Sequence, residues 1–141
     1  MLNHINPEKI CFTLKCRNTK LRMTLAHLIC HNKTPLSVAE IKEKLEIEKI
    51  KVNKTSIYRE LNFLVKNNIF NEIQLEGNYK RYEYNSANQK SYLICSKCGD
   101  INPIELDLKL IDKELKIQSQ KHQFTLSRHS LVFFGHCNKC K

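Results

Sequence analysis

Two Cys-x2-Cys pairs constrain this chain more than anything else in it. Cys95 and Cys98 close the run "SYLICSKCG", Cys137 and Cys140 lie in "CNKCK", and the whole pattern is Cys-x2-Cys-x38-Cys-x2-Cys. Two residues between thiols let a tight knuckle aim both sulfurs at one ion, and four thiolates complete a tetrahedral shell of about 2.3 Å radius. Such a shell keeps no open position for substrate or water. It therefore predicts one structural Zn2+ held by Cys95, Cys98, Cys137 and Cys140, contributing folding free energy outright. A dithiol oxidoreductase also uses Cys-x-x-Cys, but typically with its first cysteine at a helix N-terminus that lowers the thiol pKa. Here the first pair follows a strand-like run and precedes Gly99, which argues against an enzyme with a small-molecule substrate.

A staple suits the size of the chain. At 141 residues it is one domain or two small ones, near the limit where an apolar core alone gives thin stability. The net charge of +10, from 24 Lys+Arg against 14 Asp+Glu, favours a polyanionic partner. Part of that excess reflects the Lys, Asn and Ile richness of an AT-rich genome, so local clustering must decide. No run approaches the 18 or so apolar residues of a membrane span, and "MLNHINPEKICFTLK" is too polar for a signal-peptide core. The expected location is cytoplasmic, with no membrane partner. In a reducing compartment the seven cysteines point to metal before disulfides, leaving Cys11, Cys16 and Cys30 as singletons.

Apolar periodicity divides the chain. Leu21, Leu25, Leu28 and Ile29 predict a helix over 19–31. A second helix follows Ser37, which can form a capping box with Glu40 ahead of the stripe Val38, Ile41 and Leu45. A third follows Asn53 as N-cap, burying Ile57, Leu61, Leu64 and Val65. After Asn68 the period falls to two: "IFNEIQL" and "KRYEYN" flank Gly77, a hairpin. Three helices and a hairpin are the order of a winged helix over 1–85. The polar "NSANQK" reads as a linker. Residues 86–141 then give a strand, the first knuckle, a short strand at "INPIEL", a helix over 107–120 and a final strand within "FTLSRHSLVFFGHC". The predicted fold class is α+β: a winged helix-turn-helix followed by a small α/β dimerisation domain with the four-cysteine zinc site.

The third helix has the division of labour of a recognition helix, apolar on the core and polar toward a major groove. Lys54, Thr55, Tyr58, Arg59 and Asn62 oppose its buried stripe, and the last four share one face at spacings of 3, 4 and 7. Arg59 can grip guanine or phosphate with two donors; Tyr58 offers its ring to thymine methyls and its hydroxyl to phosphate. Lys80 and Arg81 add charge near the hairpin tip, where a wing meets the backbone. The bland alternative is a solvated helix face in a Lys-rich protein. Another is a zinc-stapled winged helix that binds protein.

In order along the chain, these motifs resemble the ferric uptake regulator family, dimeric bacterial repressors with this two-domain layout. "RNTKLR" is similar to the family's Arg-x-Thr-x-x-Arg helix entry at Arg17, Thr19 and Arg22, which joins those residues to the DNA-binding set. "TSIYRELNFLVKNNI" is similar to its Thr-Val-Tyr-Arg-x-Leu-Asn recognition helix, and "YLICSKCG" and "HSLVFFGHCNKC" to the ends of its structural zinc site. The resemblance implies a homodimer on double-stranded DNA, at a palindromic, AT-rich operator, acting as a repressor.

One departure matters for regulation. Members usually carry a His-rich run before the first knuckle that binds the regulatory metal, and here 89–95 reads Gln-Lys-Ser-Tyr-Leu-Ile-Cys. Pro35 stands where a further histidine is expected. Control by regulatory Fe2+, Mn2+ or Zn2+ is therefore expected to be lost or remodelled. Glu83, Asp112 and His129 match family ligand positions and would be the remnant of a weak second site; alternatively Glu83 and His129 are ordinary strand residues. Among the singletons, Cys16 beside Arg17 is the candidate for a redox-responsive thiol, whereas Cys30, His27 and His136 read as structural or surface groups.

Overall fold

A computed structural model describes residues 9–10, 14–86, 90–126 and 129–141. The chain divides into two compact units, Met1–Ser86 and Ala87–Lys141. Cys11 lies outside the described residues.

In the first unit, α1 (Lys20–Cys30) starts at Thr19, whose hydroxyl accepts from the Arg22 amide at 3.2 Å. Ahead of α2 (Val38–Ile47) the capping box forms in full. The Glu40 amide donates to Ser37 Oγ at 3.2 Å, and the Ser37 amide donates to Glu40 Oε2 at 2.7 Å. The N-cap of α3 (Lys54–Lys66) is Asn53, with Oδ1 accepting from the Ser56 amide at 2.8 Å. Each of these caps satisfies an amide that the first helical turn leaves without a partner. The stripes meet as expected: Leu25 and Ile29, Ile41 and Leu45, and Ile57, Leu61 and Leu64 share one buried cluster with Phe70 and Tyr82. Each such side chain contributes about 1.5–3 kcal/mol of burial.

Three antiparallel strands complete this unit: β1 (Leu36–Ser37), β2 (Phe70–Gln74) and β3 (Lys80–Tyr84), in the order β1-β3-β2. The hairpin has Phe70 opposite Tyr84 and Gln74 opposite Lys80. Its connection is a short 3-10 turn, Glu76–Asn78, with Gly77 and Asn78 at φ of 72° and 61°. At Gly77 a Cβ would also press on the Tyr79 ring at 3.2 Å. Strand β1, two residues long, was not foreseen, because it is too short to carry a period.

The second unit orders its strands β5-β4-β6, with β4 (Ser91–Cys95) antiparallel to β5 (Ile101–Ile104) and parallel to β6 (Leu131–Gly135). Helix α4 (Lys109–Lys121) occupies the crossover that a parallel pair requires. Parallel pairing sets Cys95 opposite Gly135, so the segments following both strands leave the same end of the sheet. The final strand takes up Leu131–Gly135 of the 124–137 segment expected to contain it. Gln123 turns left-handed at φ 53° and the Phe124 amide donates to the Ser119 carbonyl at 2.8 Å, so these residues close α4 instead of entering the sheet.

Candidate functional site

That shared end of the β4-β6 sheet carries the four thiols. The Sγ atoms of Cys95, Cys98, Cys137 and Cys140 all lie within 4.8 Å of one another. Cys98 and Cys137 are 3.8 Å apart, close to the edge of about 3.8 Å that a tetrahedron of 2.3 Å metal–sulfur bonds demands. Each knuckle is held by its own backbone. The Gly99 amide donates to the Cys95 carbonyl at 2.8 Å, with Gly99 left-handed at φ 74°, and the Cys140 amide donates to the Cys137 carbonyl at 2.9 Å. The Cys137 amide donates to Cys95 Sγ at 3.4 Å. Donation from the Cys137 and Cys98 amides brings the Cys95 thiol down to about 6, so it is ionised at neutral pH. Hydrogen bonding to Cys137 pushes Cys140 up to about 12, as expected where thiols crowd around shared protons. Displacing those protons is what a metal cation does. The residues present thus fit a tetrahedral thiolate site, and among the described residues no other group of three or more His, Cys, Asp or Glu ligands converges in this way.

The polar face of α3 is the second constellation. Lys54, Thr55, Tyr58, Arg59 and Asn62 are all exposed, opposite buried Ile57, Leu61 and Leu64. Arg17 is exposed, while Thr19 is engaged as the cap of α1. Lys80 is exposed on the hairpin but ion-paired to Glu72 at 2.9 Å. Two arginines assigned to the DNA are directed inward. Arg81 Nη1 donates to Glu40 Oε2 at 2.8 Å and to the Pro35 carbonyl at 3.0 Å. Burial disfavours the Glu40 carboxylate, but the Ser37 amide and the Arg81 charge outweigh it and lower its pKa. Arg22 meets Glu60 with two donors, Nε to Oε2 at 2.9 Å and Nη2 to Oε1 at 3.2 Å, and the Cys16 thiol lies against the same guanidinium. In this structure Arg22 and Arg81, both expected at the DNA, are engaged by carboxylates of their own unit. Neither Glu60 nor Glu40 figured as a partner in the sequence, since both pairings span about forty residues.

A model of the ferric uptake regulator family matches residues 13–134. The chain belongs to the ferric uptake regulator family. Members are DNA-binding, metal-responsive transcription regulators. The ferric uptake regulation protein of Campylobacter upsaliensis is 28% identical over 126 residues, spanning 86% of this chain and 78% of its own length. Among solved structures, the Vibrio cholerae ferric uptake regulator aligns with TM-score 0.75 at 21% identity, over 92% of this chain and 98% of that one. A zinc uptake regulator complexed with zinc and DNA aligns with TM-score 0.61 at 19% identity, over 94% and 88%. At those identities the structural likeness establishes the fold alone.

The three residues at family ligand positions fall in different units. Glu83 belongs to the first unit, where it is 7% exposed on β3 opposite Asn71. Asp112 and His129 belong to the second, His129 Nε2 lying 3.8 Å from Asp112 Oδ1. In the run expected to be His-rich, residue 89 lies outside the described residues and Ser91–Cys95 forms β4. No helix among the described residues is long and apolar enough to cross a membrane.

Proposed function

We propose that this member is a sequence-specific DNA-binding transcription regulator, probing operator DNA with α3 and the β2-β3 wing and stapled by one structural Zn2+ per subunit. The supporting observation is the two-sided α3: five polar side chains exposed on one face, three apolar ones buried on the other, beside a charged hairpin. Lys54, Thr55, Tyr58, Arg59 and Asn62 read bases and phosphates, and Arg17 and Lys80 contribute backbone charge. At the cysteine site a bound Zn2+ would supply cross-linking only, since four thiolates fill its shell.

The working unit is a homodimer. In the second unit α4 buries none of its residues, and Leu110 and Ile117 are 82% and 52% exposed. An apolar face of that kind marks a surface for a partner copy. Two recognition helices on a two-fold axis select a palindromic operator, AT-rich in a genome of this bias, and repression follows where that operator overlaps a promoter. The regulatory metal switch is lost or remodelled, because Lys90–Cys95 carries no histidine and Pro35 replaces another. Selection from a pool of random duplexes tests this reading. Enrichment of one inverted repeat supports it; recovery of no preferred sequence sinks it.

A further inference from the structure

Glu60 is the only acidic residue of α3, in the midst of a helix whose exposed face is offered to a polyanion. A carboxylate there repels phosphate unless a cation answers it, and like charges in such proximity are costly. The cation is Arg22, from α1, 38 residues earlier in the chain. Beside the Cys16 thiol, one guanidinium makes several attachments. It forks onto both carboxylate oxygens of Glu60, stacks over the Phe63 ring at 4.3 Å, and donates Nη1 to the Arg17 carbonyl at 2.7 Å. Glu60 and Phe63 are three residues apart on α3, so a single side chain grips two points on one flank of that helix. The pair is largely withdrawn from solvent, at 12% and 13% side-chain exposure, where a planar fork holds direction better than a point charge.

We infer that Arg22 is a positioning residue of the recognition helix: by clamping Glu60 and Phe63 it sets the rotation of α3, and hence which side chains reach base edges, while neutralising the one acidic group on that helix. The same guanidinium anchors the backbone at Arg17, so the segment carrying that exposed cation is registered against α3. The inference rests on the DNA-binding reading above and assigns Arg22 a role through Glu60, not through DNA.

The test is a double-mutant cycle on the intact zinc-loaded dimer, with Arg22→Ala, Glu60→Ala, the double variant and Arg22→Lys. Affinities for the selected operator and for random duplex are measured well below each variant's melting temperature. A positioning clamp predicts that both single variants lose specific affinity by about tenfold, that the double is no worse than either, and that random-duplex affinity changes far less. Arg22→Lys keeps the charge but not the fork, so it loses specificity too. Direct phosphate contact by Arg22 predicts the opposite pattern. Glu60→Ala would then tighten all duplexes and Arg22→Lys would bind like wild type, and either result overturns the inference. An unchanged specific-to-random ratio in all four variants overturns it as well, leaving a merely structural pair. If the wild-type dimer prefers no sequence, the DNA reading itself has failed and the clamp falls with it.

Discussion

Arg81 Nη1 donates to Glu40 Oε2 at 2.8 Å, joining the wing strand β3 to the capping box of α2. The same carboxylate oxygen accepts the Ser37 amide at 2.7 Å, so one group caps a helix and anchors a strand. Glu40→Ala should destabilise the first unit by about 1–2 kcal/mol at neutral pH, a figure reduced for its partial exposure. Because folding lowers the Glu40 pKa below its ordinary 4.5, the contribution is complete above that value and disappears as pH falls through the folded pKa. Denaturant titrations of wild type and variant should differ at pH 7 and converge as Glu40 protonates. A gap that persists once Glu40 is protonated in the folded state would assign the loss to something other than charge.

The cysteine cluster predicts a metal-dependent fold for the second unit. Cys137→Ser removes one of four thiolates whose sulfurs lie within 4.8 Å of one another. Elemental analysis should show about one Zn2+ per chain lost, and melting should fall to that of wild type treated with a strong chelator. A variant that keeps wild-type melting and dimerisation shows the site is not a staple.

Base readers and backbone anchors should separate. Tyr58→Ala removes an exposed aromatic from the α3 face and should relax base preference by about 1–3 kcal/mol at one position. Lys80→Ala should weaken all sequences alike and reduce the salt slope by less than about one, because Glu72 already neutralises part of its charge at 2.9 Å. Binding isotherms across a salt series distinguish the two. Equal loss on operator and random duplex in Tyr58→Ala would remove it from the base-reading set.

The exposed flank of α4 should be the subunit contact. Placing charge at Leu110 or Ile117, Leu110→Glu or Ile117→Glu, should leave the first unit folded and convert dimer to monomer in sedimentation velocity. A dimer that persists in both variants would move the interface elsewhere.

How much of this was legible depended on distance along the chain. The Ser37–Glu40 box, the Asn53 cap and the Cys-x2-Cys knuckles are local patterns of three or four residues, and each formed as read. The pairings Arg22–Glu60 and Arg81–Glu40 join residues 38 and 41 apart, so no local pattern shows which carboxylates hold these arginines. Strand β1 owes its existence to the register Leu36 to Tyr82, not to any period of its own. Phe124 looks like strand by type, but its amide closes α4 on Ser119.

The missing histidines make the central claim directly measurable. Fluorescence anisotropy of the zinc-retaining dimer on its selected operator, at fixed salt, is compared with and without added Fe2+, Mn2+ or Zn2+. High affinity indifferent to added metal is the predicted result: the family scaffold binds DNA without its usual switch. A rise of about tenfold, roughly 1.4 kcal/mol of coupling, would contradict a lost switch, show that it is remodelled, and make Glu83, Asp112 and His129 the first residues to replace.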